Sequence, residues 1–208
     1  ARAEMAELGV DVLLLSVGAD LPYFCGYEAM PLERLTLLVV PVDGEPRLLV
    51  PGLEAPRVVE RPGVFDLVPW GDGEDPIARA VSLIGASEVA AVGDQMWAGF
   101  LVDLTGALPS TRFVRASEVT APIRSIKDGS EVEALRAAGA AVDRIAADLQ
   151  AGAVPLVGRT EAEVAAQIGA RVLDEGHYRV NFVIVASGEN AASPHHEPGP
   201  RVIRPDEG

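Results

Sequence analysis

Cysteine, lysine and histidine are scarce in this chain of 208 residues. Cys25 is the single cysteine, Lys127 is the single lysine, and three residues are histidine. One cysteine cannot form an internal disulfide, so nothing in the sequence requires an oxidising compartment. Cys25 lies in an apolar run, residues 23–27, which predicts a buried small hydrophobic side chain rather than a nucleophile.

Positively charged residues are also few. Lysine and arginine together number 17 against 31 aspartates and glutamates, which gives a net charge of −14. Such an acidic chain repels phosphate backbones and anionic lipid headgroups, which argues against nucleic acid and membrane surfaces as partners. Two readings of the acidity stay open: it keeps the protein dissolved, or it attracts a cationic substrate or metal ion.

Long hydrophobic runs are absent, and no stretch approaches the roughly 18–20 apolar residues that a membrane span needs. The first eight residues are charged and helix-patterned, unlike a secretory signal peptide. These features predict a cytoplasmic protein.

Aliphatic residues are abundant, whereas aromatic residues make up only 5% of the chain. Hydrophobic residues amount to 49%, so the sequence can build an aliphatic core, and its length suits one and a half or two domains. In the first half, strand-like and helix-like segments alternate, which predicts an α/β domain with a mixed sheet of five or six strands. The predicted strands are 10–16, 35–40, 47–50, 64–68, 89–92 and 112–115, and the predicted helices are 75–84 and 96–104.

The pattern changes near residues 117–123, where Ala121-Pro122 is predicted to break the chain. We therefore predict two domains, 1–118 and 119–208. In the second, Ser130 with Glu133 and Thr160 with Glu163 have the spacing of capping boxes, each opening a helix. The first of these helices carries an apolar stripe: Val132, Leu135, Val142, Ile145 and Leu149. Residues 181–186 read as a strand, and the second domain is expected to be incomplete.

Two of the three histidines, His195 and His196, lie in a polar loop after that predicted strand. Functional groups of α/β proteins often lie on such loops, and imidazole changes its charge most easily near neutral pH. A solvated, non-functional pair stays an alternative, as does a zinc site completed by Glu189 or Glu197. Adjacent side chains of an extended chain point apart, which disfavours the shared zinc site.

Three stretches together resemble the family of Xaa-Pro peptidases that includes prolidase, aminopeptidase P and creatinase. Residues 9–15 (GVDVLLL) and 20–27 (DLPYFCGY) resemble the family patterns GIDALLV and NIRYLTGF. Residues 123–131 resemble the LRxIKSxxEI opening of its catalytic domain. Residues 182–195 (FVIVASGENAASPH) resemble FxxIVASGxNAAxPH.

The resemblance implies a creatinase-like α/β domain over 1–118, followed by the beginning of a pita-bread α+β catalytic domain over 119–208. It implies a metal-dependent exopeptidase that cleaves Xaa-Pro bonds of proline-containing peptides, and a homodimer. It also implies two divalent metal ions, manganese or cobalt, held by two Asp, one His and two Glu. None of these ligands is expected within residues 1–208, so this fragment is expected to be inactive by itself.

By the same resemblance, His195 matches a catalytic histidine that hydrogen-bonds the substrate or its tetrahedral intermediate. Phe182 matches an apolar residue that lines the substrate pocket, while His196 receives no required role. A creatinase-like amidinohydrolase and a metal-free peptide-binding module on the same fold stay as alternatives.

Overall fold

The computed structural model describes residues 1–207, which fold into two compact units, residues 1–126 and 127–207. The strands are β1 (Val12–Leu15), β2 (Leu37–Pro41), β3 (Arg47–Pro51), β4 (Asp66–Trp70), β5 (Val89–Val92) and β6 (Arg112–Arg115). The helices are α1 (Arg2–Leu8), α2 (Asp20–Cys25), α3 (Pro76–Ile84), α4 (Ala98–Ala107), α5 (Ser117–Ser125), α6 (Gly129–Gln150) and α7 (Glu161–Asp174), with short 3-10 turns at Ala55–Arg57 and Gly188–Ala192. None of the helices in residues 1–207 combines the length and apolar character that crossing a bilayer requires.

The first unit is built on one mixed sheet whose strand order is β4-β3-β2-β1-β5-β6. Strands β1 and β2, and β2 and β3, are antiparallel, whereas β1 and β5, β5 and β6, and β3 and β4 are parallel. The prediction of a mixed α/β sheet is therefore confirmed, and the sheet has six strands within the described residues.

Strand β1 lies at the centre of this sheet and is buried on both faces. Side chains of a strand alternate between its faces, so Leu13 and Leu15 join a core with α1, α2 and α5, while Val12 and Leu14 join one with α3 and α4. Cys25 belongs to the first core, where it is 2% exposed, which confirms the prediction that its side chain is buried.

The predicted strand 64–68 is displaced by two residues and becomes β4, Asp66–Trp70. Trp70 explains the shift, because its ring is buried in the second core and its Nε1 donates a hydrogen bond to the Leu35 carbonyl at 2.9 Å. A buried indole requires such an acceptor.

The predicted chain break at Pro122 is wrong, since Pro122 lies inside helix α5. A proline in a helix interior removes one backbone hydrogen bond and is normally costly. Contacts within the first unit offset that cost. Val119 is fully buried, and Asp20 accepts hydrogen bonds from Thr120 Oγ1 at 3.0 Å and from Arg124 Nη1 at 2.6 Å.

The second unit begins with α6, whose predicted capping residue was wrong by two positions. Asp128, not Ser130, caps the helix: its side chain accepts from Glu131 N at 2.8 Å, and Glu131 accepts from Asp128 N at 2.9 Å. Ser130 lies inside the first turn and donates to Asp128 Oδ1. An aspartate cap adds negative charge at the positive end of the helix dipole.

Helix α7 begins with the predicted capping box of Thr160 and Glu163, which is confirmed. It pairs with the C-terminal half of α6 through Arg171 with Asp148 and Arg144 with Glu175. The predicted apolar stripe of α6 is only partly buried: Ile145 is 4% exposed, whereas Leu135 is 60% exposed and Val142 51%.

The strand predicted over residues 181–186 does not form in the described part of the chain. A β-strand needs a neighbouring strand to accept and donate its backbone hydrogen bonds. Within residues 127–207 the one β-bridge joins Thr160 to Val202, which leaves 181–186 without such a partner.

Candidate functional site

Phe182 and His195, the two residues predicted to contact a substrate, line the same groove of the second unit. The groove encloses about 580 Å³. Helix α7, the segment after it and the polar loop supply its walls: Ala162, Ala165, Asn181, Phe182, Val183, Ile184, His195, His196, Glu197 and Pro198. The structure thus brings the two residues together, while their roles stay predictions.

Most residues that line the groove are apolar, and Asn181, His195, His196 and Glu197 are its polar members. Phe182 is 77% exposed, so its ring is available for contact. His195 is exposed, whereas the neighbouring His196 is largely buried. This arrangement offers an apolar surface beside one accessible imidazole, which suits a ligand with an apolar body and a polar group.

The loop that carries His195 begins with a turn at Gly188, whose φ is +51°. A side chain there would collide with the Arg201 guanidinium, which lies against Glu189 at 3.1 Å and Glu207 at 2.8 Å. Glycine is therefore favoured at this position by its left-handed backbone, and a larger residue would also have to displace the Arg201 guanidinium.

Glu161, the first residue of α7, holds this loop together and was not identified from the sequence. Its carboxylate is fully buried. Ser187 donates to Oε1 from its backbone nitrogen at 2.7 Å and from its hydroxyl at 2.9 Å. Asn190 Nδ2 lies 3.1 Å from both oxygens, and His196 Nε2 lies 2.7 Å from Oε2. One carboxylate thereby joins both ends of the loop to the helix.

Burial by itself raises the pKa of the Glu161 carboxyl, but hydrogen bonds from His196, Asn190 and Ser187 outweigh it and lower the pKa from 4.5 to about 2. The group is therefore ionised at neutral pH. Its position in the first turn of α7 adds a favourable interaction with the helix dipole.

The finding about His196 corrects the sequence analysis, which gave this residue no required role. Its ring is hydrogen-bonded to the buried Glu161 carboxylate, so it has a structural role in the loop. His196 is consequently not equivalent to a solvated histidine, because its removal would take the shortest contact from Glu161 Oε2 and leave only Asn190 Nδ2 at 3.1 Å and Gly199 N at 3.4 Å.

Acid is expected to weaken this site. Because the folded pKa of Glu161 lies near 2 and its ordinary value near 4.5, its ionised form stabilises the fold above pH 4.5. That contribution is lost as the pH falls from 4.5 towards 2. Urea unfolding at several pH values is expected to show a steeper loss of stability for the wild type than for Glu161→Gln in this range. Parallel curves would contradict the network.

A metal site is not formed by the described residues. Among residues 1–207 no three His, Cys, Asp or Glu side chains converge in a metal-binding cluster. His196 is turned to Glu161, which removes it from the zinc site considered with His195 and Glu189 or Glu197. The donor set of this groove therefore does not fit a bound divalent metal.

The first unit has a cavity of about 290 Å³ at the carboxyl ends of β1 and β5, where α/β sheets often bind ligands. Its charged groups are already paired. Asp20 accepts from Thr120 and Arg124, and Asp94 accepts from Arg115 and Ser117. We therefore place the candidate site in the second unit.

Comparison with known proteins defines the class. Residues 1–126 match the creatinase/prolidase N-terminal domain, and residues 132–207 match metallopeptidase family M24. The chain therefore belongs to the creatinase/prolidase family, whose N-terminal domain matches more than half of it, and this confirms the resemblance. A relative from Mycobacterium tuberculosis, named a probable dipeptidase PepE, is 40% identical over 98% of this chain and 55% of its own length.

Solved structures agree with this assignment. Dipeptidase PepE from Mycobacterium ulcerans superimposes with a TM-score of 0.84 at 37% identity, covering 99% of this chain and 56% of that one. A prolidase from Thermococcus sibiricus gives 0.85 at 29% identity, covering 98% and 56%. The predicted fold class is thus confirmed, and the chain spans about half the length of the curated relatives it matches.

Proposed function

We propose that the full-length protein is a metal-dependent exopeptidase that cleaves Xaa-Pro peptide bonds. The observation that carries this proposal is the groove that joins Phe182 to His195. The family supports it, because relatives over nearly the whole chain are named dipeptidase or prolidase. A proline-containing peptide is the proposed substrate.

Each side of the groove has a chemical task. The exposed ring of Phe182, with Ile184 and Pro198, offers an apolar wall on which a pyrrolidine ring can pack. His195 is proposed to donate a hydrogen bond to the carbonyl oxygen as negative charge develops on it. A donor fixed in place before the reaction stabilises the transition state more than the substrate.

Metal dependence forms part of the proposal for the full-length protein only. The described residues do not fit a divalent metal, because no cluster of ligands forms among them. In the full-length protein two divalent ions, manganese or cobalt, would supply Lewis-acid chemistry, and none of the described residues is assigned to hold them. In this chain the contribution is binding and orientation by the groove and hydrogen bonding by His195.

The test is a substrate panel with the full-length, manganese- or cobalt-loaded protein. Xaa-Pro dipeptides, longer peptides with Xaa-Pro at the N-terminus, matched Xaa-Ala peptides and creatine are compared by kcat/KM. We expect hydrolysis of an Xaa-Pro class and at least about a tenfold preference over Xaa-Ala, since loss of apolar contact in a pocket costs roughly 1–3 kcal/mol. Turnover of creatine alone would favour an amidinohydrolase. Binding without turnover would favour a metal-free peptide-binding module.

Residues 1–208 expressed alone serve as the negative control for the full-length protein in this substrate panel. We expect this fragment to bind no stoichiometric manganese and to hydrolyse no Xaa-Pro peptide, because its described residues form no ligand cluster. Metal analysis after dialysis measures the first point. One equivalent of tightly bound manganese would place ligands within this chain and contradict the proposal. A homodimer and a cytoplasmic location stay predictions.

A further inference from the structure

The polar loop from Ser187 to Gly199 is tied to helix α7 at several points that converge on one buried carboxylate. Ser187 begins the loop, Asn190 lies in its 3-10 turn, and His196 and Gly199 lie near its end. Gly199 N is 3.4 Å from Glu161 Oε2, the longest of these contacts. A second link joins the same ends, because Ala162 N donates to the Gly199 carbonyl at 3.0 Å.

A carboxylate can accept hydrogen bonds from all these groups at once. Oε1 accepts from Ser187 twice and Oε2 accepts from His196, while Asn190 reaches both oxygens. A carboxylate has about four acceptor positions and no donor. Replacing one oxygen with an amide group sets a donor against the Asn190 amide or the Ser187 N–H, which leaves buried polar groups unpaired.

His195 lies directly before the anchored His196 and directly after Pro194. Proline restricts the backbone on one side, and the hydrogen bond to Glu161 fixes the next residue on the other. His195 itself stays exposed and lines the groove. The imidazole therefore projects from a short segment whose two neighbours are both held.

We propose that Glu161 is a positioning residue, which acts through Ser187, Asn190 and His196 to hold the loop so that His195 faces the substrate. This assignment rests on the proposed peptidase function of the groove. Glu161 touches no substrate, so its effect on the reaction passes through His195. A fixed donor loses much of its effect when it is displaced, since a shift of about 1 Å can cost about 10²-fold in rate.

The primary variant is Glu161→Gln in the full-length, metal-loaded enzyme, and its matched control is Glu163→Gln. Both changes turn a carboxylate into an amide within the first turn of α7, but Glu163 is exposed and glutamine also serves in a capping box. We expect kcat to fall about tenfold to a hundredfold for Glu161→Gln, with KM and metal content changed less than threefold. Glu163→Gln is expected to keep wild-type values. Equal effects from both variants would overturn the proposal.

A double-mutant cycle separates positioning from general stabilisation. If Glu161 acts through His195, adding Glu161→Gln to His195→Ala lowers kcat by less than about twofold further, because the group being positioned is gone. If the two losses multiply, Glu161 acts independently of His195 and the assignment fails.

His196 offers a milder test if Glu161→Gln does not fold. Glutamine can place its Nε2 donor near the position of the histidine Nε2, whereas alanine offers none. His196→Ala is expected to lower kcat about tenfold, and His196→Gln to restore at least half of that loss. An identical loss in both variants would show that this hydrogen bond does not position the loop.

Hydrogen exchange makes the outcome independent of peptidase activity. In Glu161→Gln the amides of the loop, including Ser187 and Gly199, are expected to exchange at least tenfold faster than in the wild type, while those of α6 are unchanged. If the enzyme hydrolyses no Xaa-Pro peptide but this difference appears, the proposed function fails and the anchoring role stands. Unchanged exchange in the loop overturns the inference itself.

Discussion

Replacing His195 with alanine is expected to lower kcat of the full-length enzyme about 10-fold to 1000-fold while its metal content stays intact. His195 is exposed in the groove that also holds Phe182, and its neighbours Pro194 and His196 restrain the backbone on both sides. Loss of one donor to a developing oxyanion typically costs about 10²–10³ in rate. Steady-state kinetics together with metal analysis of each purified variant measures the effect.

KM is expected to change less than kcat, because a donor aimed at developing charge acts mainly in the transition state. Ser193→Ala is the matched control, since it removes an exposed side chain from the same loop and keeps the backbone hydrogen bond from Ser193 N to the Asn190 carbonyl. His196→Ala cannot serve this purpose, because His196 is bonded to Glu161. Loss of metal in His195→Ala would instead make His195 a ligand and contradict the assigned role.

Replacing Leu14 with alanine is expected to destabilise the first unit by about 2–5 kcal/mol. Leu14 is fully buried in β1, where it pairs with Val39 of β2 and Val92 of β5. Truncating it opens a cavity between the sheet and helices α3 and α4, and a rigid sheet centre collapses little to fill it. Denaturant unfolding followed by tryptophan fluorescence, to which Trp70 in the same core contributes, measures the change.

Leu53→Ala provides the comparison, because the same atoms are removed from a side chain that is 72% exposed. Its free energy of unfolding is expected to stay within about 0.5 kcal/mol of the wild type. A Leu14→Ala protein that unfolds at the wild-type denaturant concentration would mean that the central strand does not carry the core of this unit.

Strands and helices with a strong local pattern were predicted well. The predicted strands 89–92 and 112–115 coincide with β5 and β6, and the predicted helix 75–84 agrees with α3 to within one residue. These segments combine an apolar period with a stop or start signal, so neighbouring residues are sufficient to define them.

Two predictions were wrong because the structure of the segment depends on residues distant in sequence. Pro122 indicates a break, yet α5 continues through it because Val119 is buried and Asp20, about one hundred residues earlier, binds Thr120 and Arg124. The strand expected over 181–186 has the right composition, but composition alone cannot supply the second strand that its backbone needs.

Recognition of the candidate site from the sequence was partial. The loop motif singled out His195 and Phe182, and the structure brings them to one groove. Glu161 could not be identified from the sequence, because it lies between Thr160 and Glu163 of the capping box. An acidic residue in the first turn of a helix is ordinary, so its spacing indicates only where the helix begins. The signal that separates them is burial: Glu161 is fully buried, whereas Glu163 is exposed.

The sequence by itself determined the aliphatic α/β character of the first unit, the family and the residues that mark the candidate loop, because these depend on residue type and order along the chain. Tertiary structure alone decided that Glu161 is the buried acceptor for Ser187, Asn190 and His196. The physical reason is that a carboxylate is an ordinary surface group until folding removes its water and replaces it with donors, and those donors come from residues 26 to 35 positions away.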